Sequence, residues 1–376
     1  MRPLAKLAVV ALGALALGAC GPKSVFKLSA DENNRYALDQ TLARRQLPDQ
    51  PSPVNVARQP RVFVVAAGKP RTIIAYDLAG DQVMWKFDAD VQSRIAVGGD
   101  FVVTLEGTQL VARDQTRGVV RWKAAVPGTF VGAAADRDRA YLVYKEGAVY
   151  WLASIDGGSG KQLWNMDSGG KLGAPQAQGG LVYVPFLDQW LAIIDGRTGE
   201  QLTRLRGLDE QISMLRTTSQ TVYYGSKQGV FRLDAHSATG TRDKATYGTV
   251  KIPPQLDLTT YGRDAYDPIQ QAYSAADRTR VLYAAEPSEA GPMKMTGDGY
   301  AIHYFRYVLG YGTDGALRWA YAHPRVDLVA SEHTGGAIAG ISAAGDIIAL
   351  DPRTGALRAQ KKLGTTTQVL GATFDA

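Results

Sequence analysis

Few side chains in this 376-residue sequence have the type and spacing to do chemistry. Cys20 is the only cysteine, which excludes a disulfide, a CxxC redox pair and a cysteine-rich zinc site at once. The four histidines, His236, His303, His323 and His333, are scattered without metal-ligand spacing. His236 falls in a predicted turn and His323 precedes Pro324, so both are expected at the surface. A nucleophilic serine is not signalled either, because no residue stands in a G-x-S-x-G elbow. The stretch "IDGGSGKQ" (155–162) hints at a phosphate loop, but Ile155 stands where the first glycine belongs and Gln162 follows the lysine. A turn between strands accounts for it better. No Glu, Asn and Asp set clusters as a calcium site would.

The chemistry that remains is at the N-terminus. Arg2 and Lys6 precede an unbroken run of Leu, Ala, Val and Gly over residues 7–19. A bilayer core needs about 20 such residues, so thirteen fit a signal peptide rather than a membrane span. The run ends in Leu17-Gly18-Ala19-Cys20, which resembles the lipobox of bacterial lipoproteins. That resemblance implies cleavage before Cys20 and lipidation of its thiol, with Gly21 favouring the outer membrane. Residues 1–19 are thus expected to be a lipoprotein signal peptide. Residues 20–58 form a lipidated tether, ending in the proline-rich "LPDQPSPVNVARQP" (47–60), and 59–376 form one large β domain. Loss of Arg2 and Lys6 lowers the formal charge from +6 to +4, and no run of five or six like charges exists. Nucleic-acid binding is therefore not expected.

The elements that fill 59–376 repeat. Strand-like runs occur at "RVFVVAA" (61–67), "FVVTL" (101–105), "AYLVY" (140–144), "LVYV" (181–184), "TVYYG" (221–225), "RVLYAA" (280–285) and "AIAGI" (337–341). A second strand follows each and reaches a glycine turn at Asp77, Asp114, Asp156, Asp195, Asp234, Tyr311 and Asp351. Successive differences are 37, 42, 39, 39, 77 and 40, a period near forty with one interval doubled or enlarged. Four strands per forty residues predict a β-propeller blade. The chain is expected to be all-β, with seven or eight four-stranded antiparallel blades. The stretch 241–296 is either an elaborated loop or a degenerate eighth blade. The terminal "VLGATFDA" (369–376) is expected to join the blade begun near Arg61, removing an open sheet edge.

Eight residues after the turn position stands an aromatic: Trp85, Trp122, Trp164 and Trp319, four of the six tryptophans. An outer-strand indole lying between its own sheet and the next would bury roughly 150–250 Å². The small residue two before the aspartate, Ala75, Ala112, Ser154 or Ala349, would leave room for the ring.

The pattern Ala-x-Asp-x-x-Thr-Gly-x-x-x-Trp resembles the tryptophan-docking repeat of PQQ-type propellers, with Ala349, Asp351, Thr354 and Gly355 matching closely. Departures are Asp81 in place of glycine and Thr203 and Ala359 in place of tryptophan. WD40 repeats are disfavoured, because neither Gly-His nor Trp-Asp occurs. Quinone-dependent dehydrogenases of this fold are much longer and hold a metal at the channel, so no enzyme activity and no cofactor are expected.

A lipid-anchored propeller without chemistry resembles the BamB-like outer-membrane assembly lipoproteins. That resemblance implies a monomeric scaffold on the periplasmic side of the outer membrane, docked on a BamA-like protein. In that family a Leu-x-Leu-Arg segment contacts the partner. Here "ISMLR" (212–216) precedes a strand, with Leu215 and Arg216 matching and Ser213 where the first leucine would stand. Met214, Leu215 and Arg216 are the candidate contact, or else Met214 and Leu215 are blade core. A scaffold in another envelope machine, or a quinone-dependent dehydrogenase, are the alternatives.

Overall fold

The structure is a computed structural model that describes residues 60–187, 190–206, 214–217, 221–225, 230–234, 279–284, 299–304, 306–312, 317–334, 336–364 and 368–375. Cys20, the tether, His236 and most of 241–296 lie outside these residues.

The described chain is all-β and forms seven antiparallel sheets. The first sheet runs, from its inner edge outward, Val369–Asp375, Arg61–Ala66, Arg71–Asp77 and Gln82–Ala89. The second is Ala96–Val97, Phe101–Glu106, Gln109–Asp114 and Val120–Ala125. The third is Thr129–Asp136, Arg139–Glu146, Val149–Asp156 and Gln162–Ser168, and the fourth Gln176–Gln178, Leu181–Phe186, Trp190–Asp195 and Gln201–Arg206. The fifth has three described strands, Met214–Thr217, Thr221–Gly225 and Val230–Asp234. The sixth is Thr279–Ala284, Gly299–Tyr304, Tyr307–Gly312 and Leu317–Ala322, and the seventh Leu328–Thr334, Ala337–Ser342, Asp346–Leu350 and Leu357–Lys362.

The first strand of each sheet lies at the centre. Ala96–Val97 touches both Val369–Asp375 and Thr129–Asp136, and Leu328–Thr334 touches Val369–Asp375, so the sheets are blades of a propeller and the last strand closes the ring. Closure places Arg61 opposite Asp375 and Val64 opposite Ala372. The second strand of a blade is covered on both sides by neighbouring blades. Phe101–Glu106 and Leu181–Phe186 accordingly read as near-continuous apolar runs rather than alternating ones, and nearly every residue in them is buried. Outer strands face water, and every residue of Leu357–Lys362 is exposed.

"RVLYAA" does not occupy the place expected of it. It forms the inner strand of blade six, and Gly299–Tyr304 is the second strand. The doubled interval thus contains one sheet among the described residues, with extra chain on either side of its inner strand. An inner strand and a second strand can carry the same Val- and Tyr-rich pattern, which is why pattern alone misplaced it.

The turns explain the aspartate and the glycine. Asp114 Oδ1 accepts the backbone N–H of Thr116 at 3.1 Å and of Arg117 at 2.9 Å, and Gly118 N donates to Asp114 O at 2.8 Å. Asp195 and Asp351 hold their turns in the same way. The glycine sits in the left-handed region, at φ 72° for Gly118 and 76° for Gly160, which a side chain would resist. "IDGGSGKQ" is such a turn, tied by Ser159 N to Asp156 Oδ1 at 2.7 Å. Asp81, where the first unit lacks glycine, adopts φ 53°, a conformation that aspartate tolerates better than most residues.

The tryptophans join one blade to the next. Trp85 Nε1 donates to Gln115 O at 2.9 Å, Trp122 Nε1 to Gly157 O at 2.9 Å and Trp164 Nε1 to Gly196 O at 3.0 Å. Each acceptor is the residue directly after the turn aspartate of the following blade. That same residue donates its own N–H to its blade's inner hairpin: Gln115 to Asp100 O, Gly157 to Asp138 O and Gly196 to Gly180 O. The ring lies on the following blade's turn glycine, so a Cβ on Gly118 would stand 2.7 Å from Trp85 and one on Gly160 2.8 Å from Trp122. Trp319 lies against Gly355 in the same way. In register, the outer-strand tryptophans face Ala75, Ala112, Ser154 and Gly310, and a bulge follows each pair. Where Thr203 replaces tryptophan, the facing residue is the larger Ile193.

Three predictions follow from these joints and turns. Trp122→Ala removes a buried ring and its hydrogen bond, so denaturant unfolding is expected to show a loss of about 3–5 kcal/mol. Gly160→Ala, which adds one carbon under that ring at a left-handed φ, is expected to lose about 1–3 kcal/mol. The third concerns Asp114. Burial works to raise its pKa, but hydrogen bonds from Arg121 and Arg117 together outweigh burial and hold the carboxyl well below the usual carboxylate range. A depressed carboxylate contributes stability that is complete above its unfolded value of about 3.9 and disappears as pH falls toward the folded one. The thermal midpoint of Asp114→Asn is therefore expected to lie below that of the native chain at neutral pH, and the gap to narrow on acidification below about pH 4.

Candidate functional site

A four-stranded blade has three hairpins, and the joints engage two of them, the inner one and the one between third and fourth strands. The turns between third and fourth strands receive the preceding tryptophan. The hairpins between second and third strands lie at the opposite end of each sheet and are free of that duty. Among them blades three and four differ from the rest.

The two tryptophans outside the docking pattern, Trp151 and Trp190, occupy one equivalent position: three residues before Ser154 and Ile193, the residues that face the outer-strand docking position. The same position holds Thr72, Gln109, Tyr307 and Asp346 in other blades. Both tryptophans are partly buried at the free-hairpin end. Trp151 stacks on Tyr144 with ring centroids 6.4 Å apart and planes 10° from parallel, and register extends the row to Phe130. Trp190 and Tyr150 pack against the same buried cluster between blades three and four, and the Lys145 ammonium stands 5.5 Å from the Tyr150 ring. At the tip of the adjoining hairpin Leu187 is 39% exposed and held at φ 47°, a conformation that costs a bulky side chain energy. An apolar side chain kept in water at a strained backbone position marks a contact surface more readily than a folding element. Sequence reasoning passed over this surface, although two tryptophans off the docking pattern at matching positions were a signal for it.

Met214, Leu215 and Arg216 precede the strand Thr221–Gly225 and themselves belong to the inner strand Met214–Thr217 of blade five, opposite Gly225, Tyr224 and Tyr223. As part of a first strand these residues lie on the inner side of the blade. Trp85, Trp122, Trp164 and Trp319 stand at the blade joints.

The histidines are placed differently from expectation. His323 is 2% exposed, with Nδ1 3.0 Å from Val326 O and Nε2 3.6 Å from Asp346 Oδ2. Proline after it does not keep it in water, because the turn folds its ring back between blades six and seven. His303 is fully buried, 3.2 Å from Ser331 Oγ, and burial lowers the pKa of His333. A serine beside an imidazole is the geometry of a nucleophile and its base. Here Ser331 is also at 0% exposure, so no substrate reaches the pair and it acts as a bond between blades. Among the described residues no three His, Cys, Asp or Glu side chains are grouped to hold a metal ion.

The family model described as outer membrane protein assembly factor BamB matches residues 69–204 and 151–241. No curated protein matches the chain. Among solved structures, BamB from Moraxella catarrhalis is 16% identical with a TM-score of 0.47, over 83% of this chain and 89% of that one. Sqt1 of Saccharomyces cerevisiae is 13% identical with a TM-score of 0.50, over 82% and 84%. Quinohemoprotein alcohol dehydrogenase ADHIIG from Pseudomonas putida HK5 is 11% identical with a TM-score of 0.48, over 81% of this chain and 65% of that one. At such identities the likeness to Sqt1 speaks for the fold alone. The docking joints and the family match, which spans blades one to five, lead to one conclusion: the chain is a BamB-like PQQ-repeat protein.

Proposed function

We propose that the chain is a non-catalytic scaffold in the assembly of outer-membrane β-barrel proteins, lipidated at Cys20, held at the periplasmic side of the outer membrane, and docked on a BamA-type partner. The observation that carries this reading is the match of residues 69–241 to the BamB model, which falls on the tryptophan-docked blades themselves. The free-hairpin end of blades three and four supports it. Trp190, Tyr150 and Leu187 give that end of the joint between blades three and four an aromatic and aliphatic character beside Lys145, of the composition that protein interfaces favour at their centres. Arg216 belongs to the same proposal: its guanidinium would form a charge-assisted bond to a partner carboxylate.

The test is a crosslinked pull-down of the full lipidated chain from membranes. Recovery of a BamA-type protein is expected, with Leu187→Asp and Arg216→Glu each reducing it by about tenfold or more. Lys161→Glu, exposed on a docking turn at the opposite end, should leave recovery unchanged. Failure to recover any β-barrel assembly protein would reject the reading. Recovery that all three variants leave intact would reject the two contact sites.

A further inference from the structure

The joint between the last blade and the first is built differently from the other joints whose side chains are described. Trp85, Trp122, Trp164 and Trp319 close four of those five joints. At the fifth, the tryptophan position is Ala359 and the glycine position is Asp81. Each departure alone breaks the repeat, yet the two face one another across the same joint.

What replaces the dock is a charged clasp. Lys361, two residues past Ala359 on the outer strand of blade seven, pairs with the Asp81 carboxylate in the turn of blade one. The other Asp81 oxygen accepts the Tyr76 hydroxyl. Tyr76 occupies the strand position held by Ile155, Ile194 and Leu350 in other blades, and its ring joins the apolar cluster between blade seven and blade one. Burial and then the Asp81 bond push its phenol up to about 12, which keeps it a donor. Bonds from Lys361 and Tyr76 hold the Asp81 carboxyl below its ordinary range, which keeps it an anion.

The two kinds of joint differ in their response to salt. An indole N–H on a buried carbonyl carries no net charge and is shielded from ions. Lys361 and Asp81 have side chains 55% and 40% exposed, so dissolved ions screen their attraction. We infer that this joint is a salt-sensitive clasp and, among the joints whose side chains are described, the one at which the ring opens. Beneath it Val62, Ile341, Ile347 and Ala372 form an apolar cluster that holds the joint shut at rest, so opening is a transient excursion. The inference concerns the ring alone and stands apart from any partner.

Thiol labelling of the full chain tests it. Ala372→Cys places a small buried thiol in the clasp joint, and Ala153→Cys places one in the Trp122 joint. Peptide mass spectrometry separates both from Cys20. Raising sodium chloride is expected to speed labelling at Ala372→Cys by about twofold to fivefold and to leave Ala153→Cys unchanged. Adding Lys361→Met should give the fast rate at either salt concentration. The pair Asp81→Gly and Ala359→Trp, which restores the repeat's dock, should abolish the salt response. Equal responses at the two thiols would overturn the inference, as would an unaltered rate with Lys361→Met or a salt response that survives the restored dock.

Discussion

The structure depends on one bond repeated around a ring: an indole N–H that leaves its own blade and ends on the carbonyl of the next blade's turn. A propeller blade has both faces apolar and cannot stay folded alone, so something must fix how the blades stack. Apolar contact is non-directional and would tolerate sliding. The bond from Trp122 to Gly157, with the ring on Gly160, does not, because the donor, the acceptor and the surface under the ring are all set by one turn. Residue Gly157 also bonds inward to Asp138, so each joint is connected to the inner hairpin of its blade. Angle and spacing between blades therefore follow from turn geometry.

That coupling is why so much of the fold was legible. Ala112, Asp114, Gly118 and Trp122 are constrained together: Ala112 leaves room for its own blade's tryptophan, Asp114 and Gly118 shape the turn, and that turn receives Trp85. Four residue types at fixed offsets survive in the sequence as a repeat, and the closing strand was readable because an open edge must be covered. The inner strand of blade six was not, because nothing about a central strand demands a residue type that a second strand does not also use. His323 was misjudged for a related reason. A following proline restricts the backbone but says nothing about where the ring points.

The ring closes through a polar network as well as through strands. Gln115 accepts the Trp85 indole on its carbonyl, receives Arg61 on its side chain at 3.2 Å and donates to Asp375, so the chain's first strand, last strand and second blade meet at one residue. Arg113 adds a guanidinium 5.6 Å from the Phe87 ring while pairing with Glu106 at 2.8 Å, filling the same joint from the other side. A charge buried this far is tolerated because each of its partners is in place. The joint on one side of blade one is thus fastened by buried groups, and the joint on its other side by exposed charges.

A partner cannot be read from the repeat, and the reason is physical. Residues that the joints constrain are the ones that recur, so function must be written at positions the joints leave free. The position held by Trp151 and Trp190 is such a place. In blade one it is Thr72, bonded to Asp88 at 2.9 Å, and in blade seven it is Asp346, 3.4 Å from Lys362. Each of those blades closes its free end with a local polar pair. Blades three and four place indoles there instead, neither of them fully buried, and Leu187, in the same hairpin as Trp190, has a backbone conformation that its side chain does not favour. Local folding does not account for that combination. The proposed docking surface would.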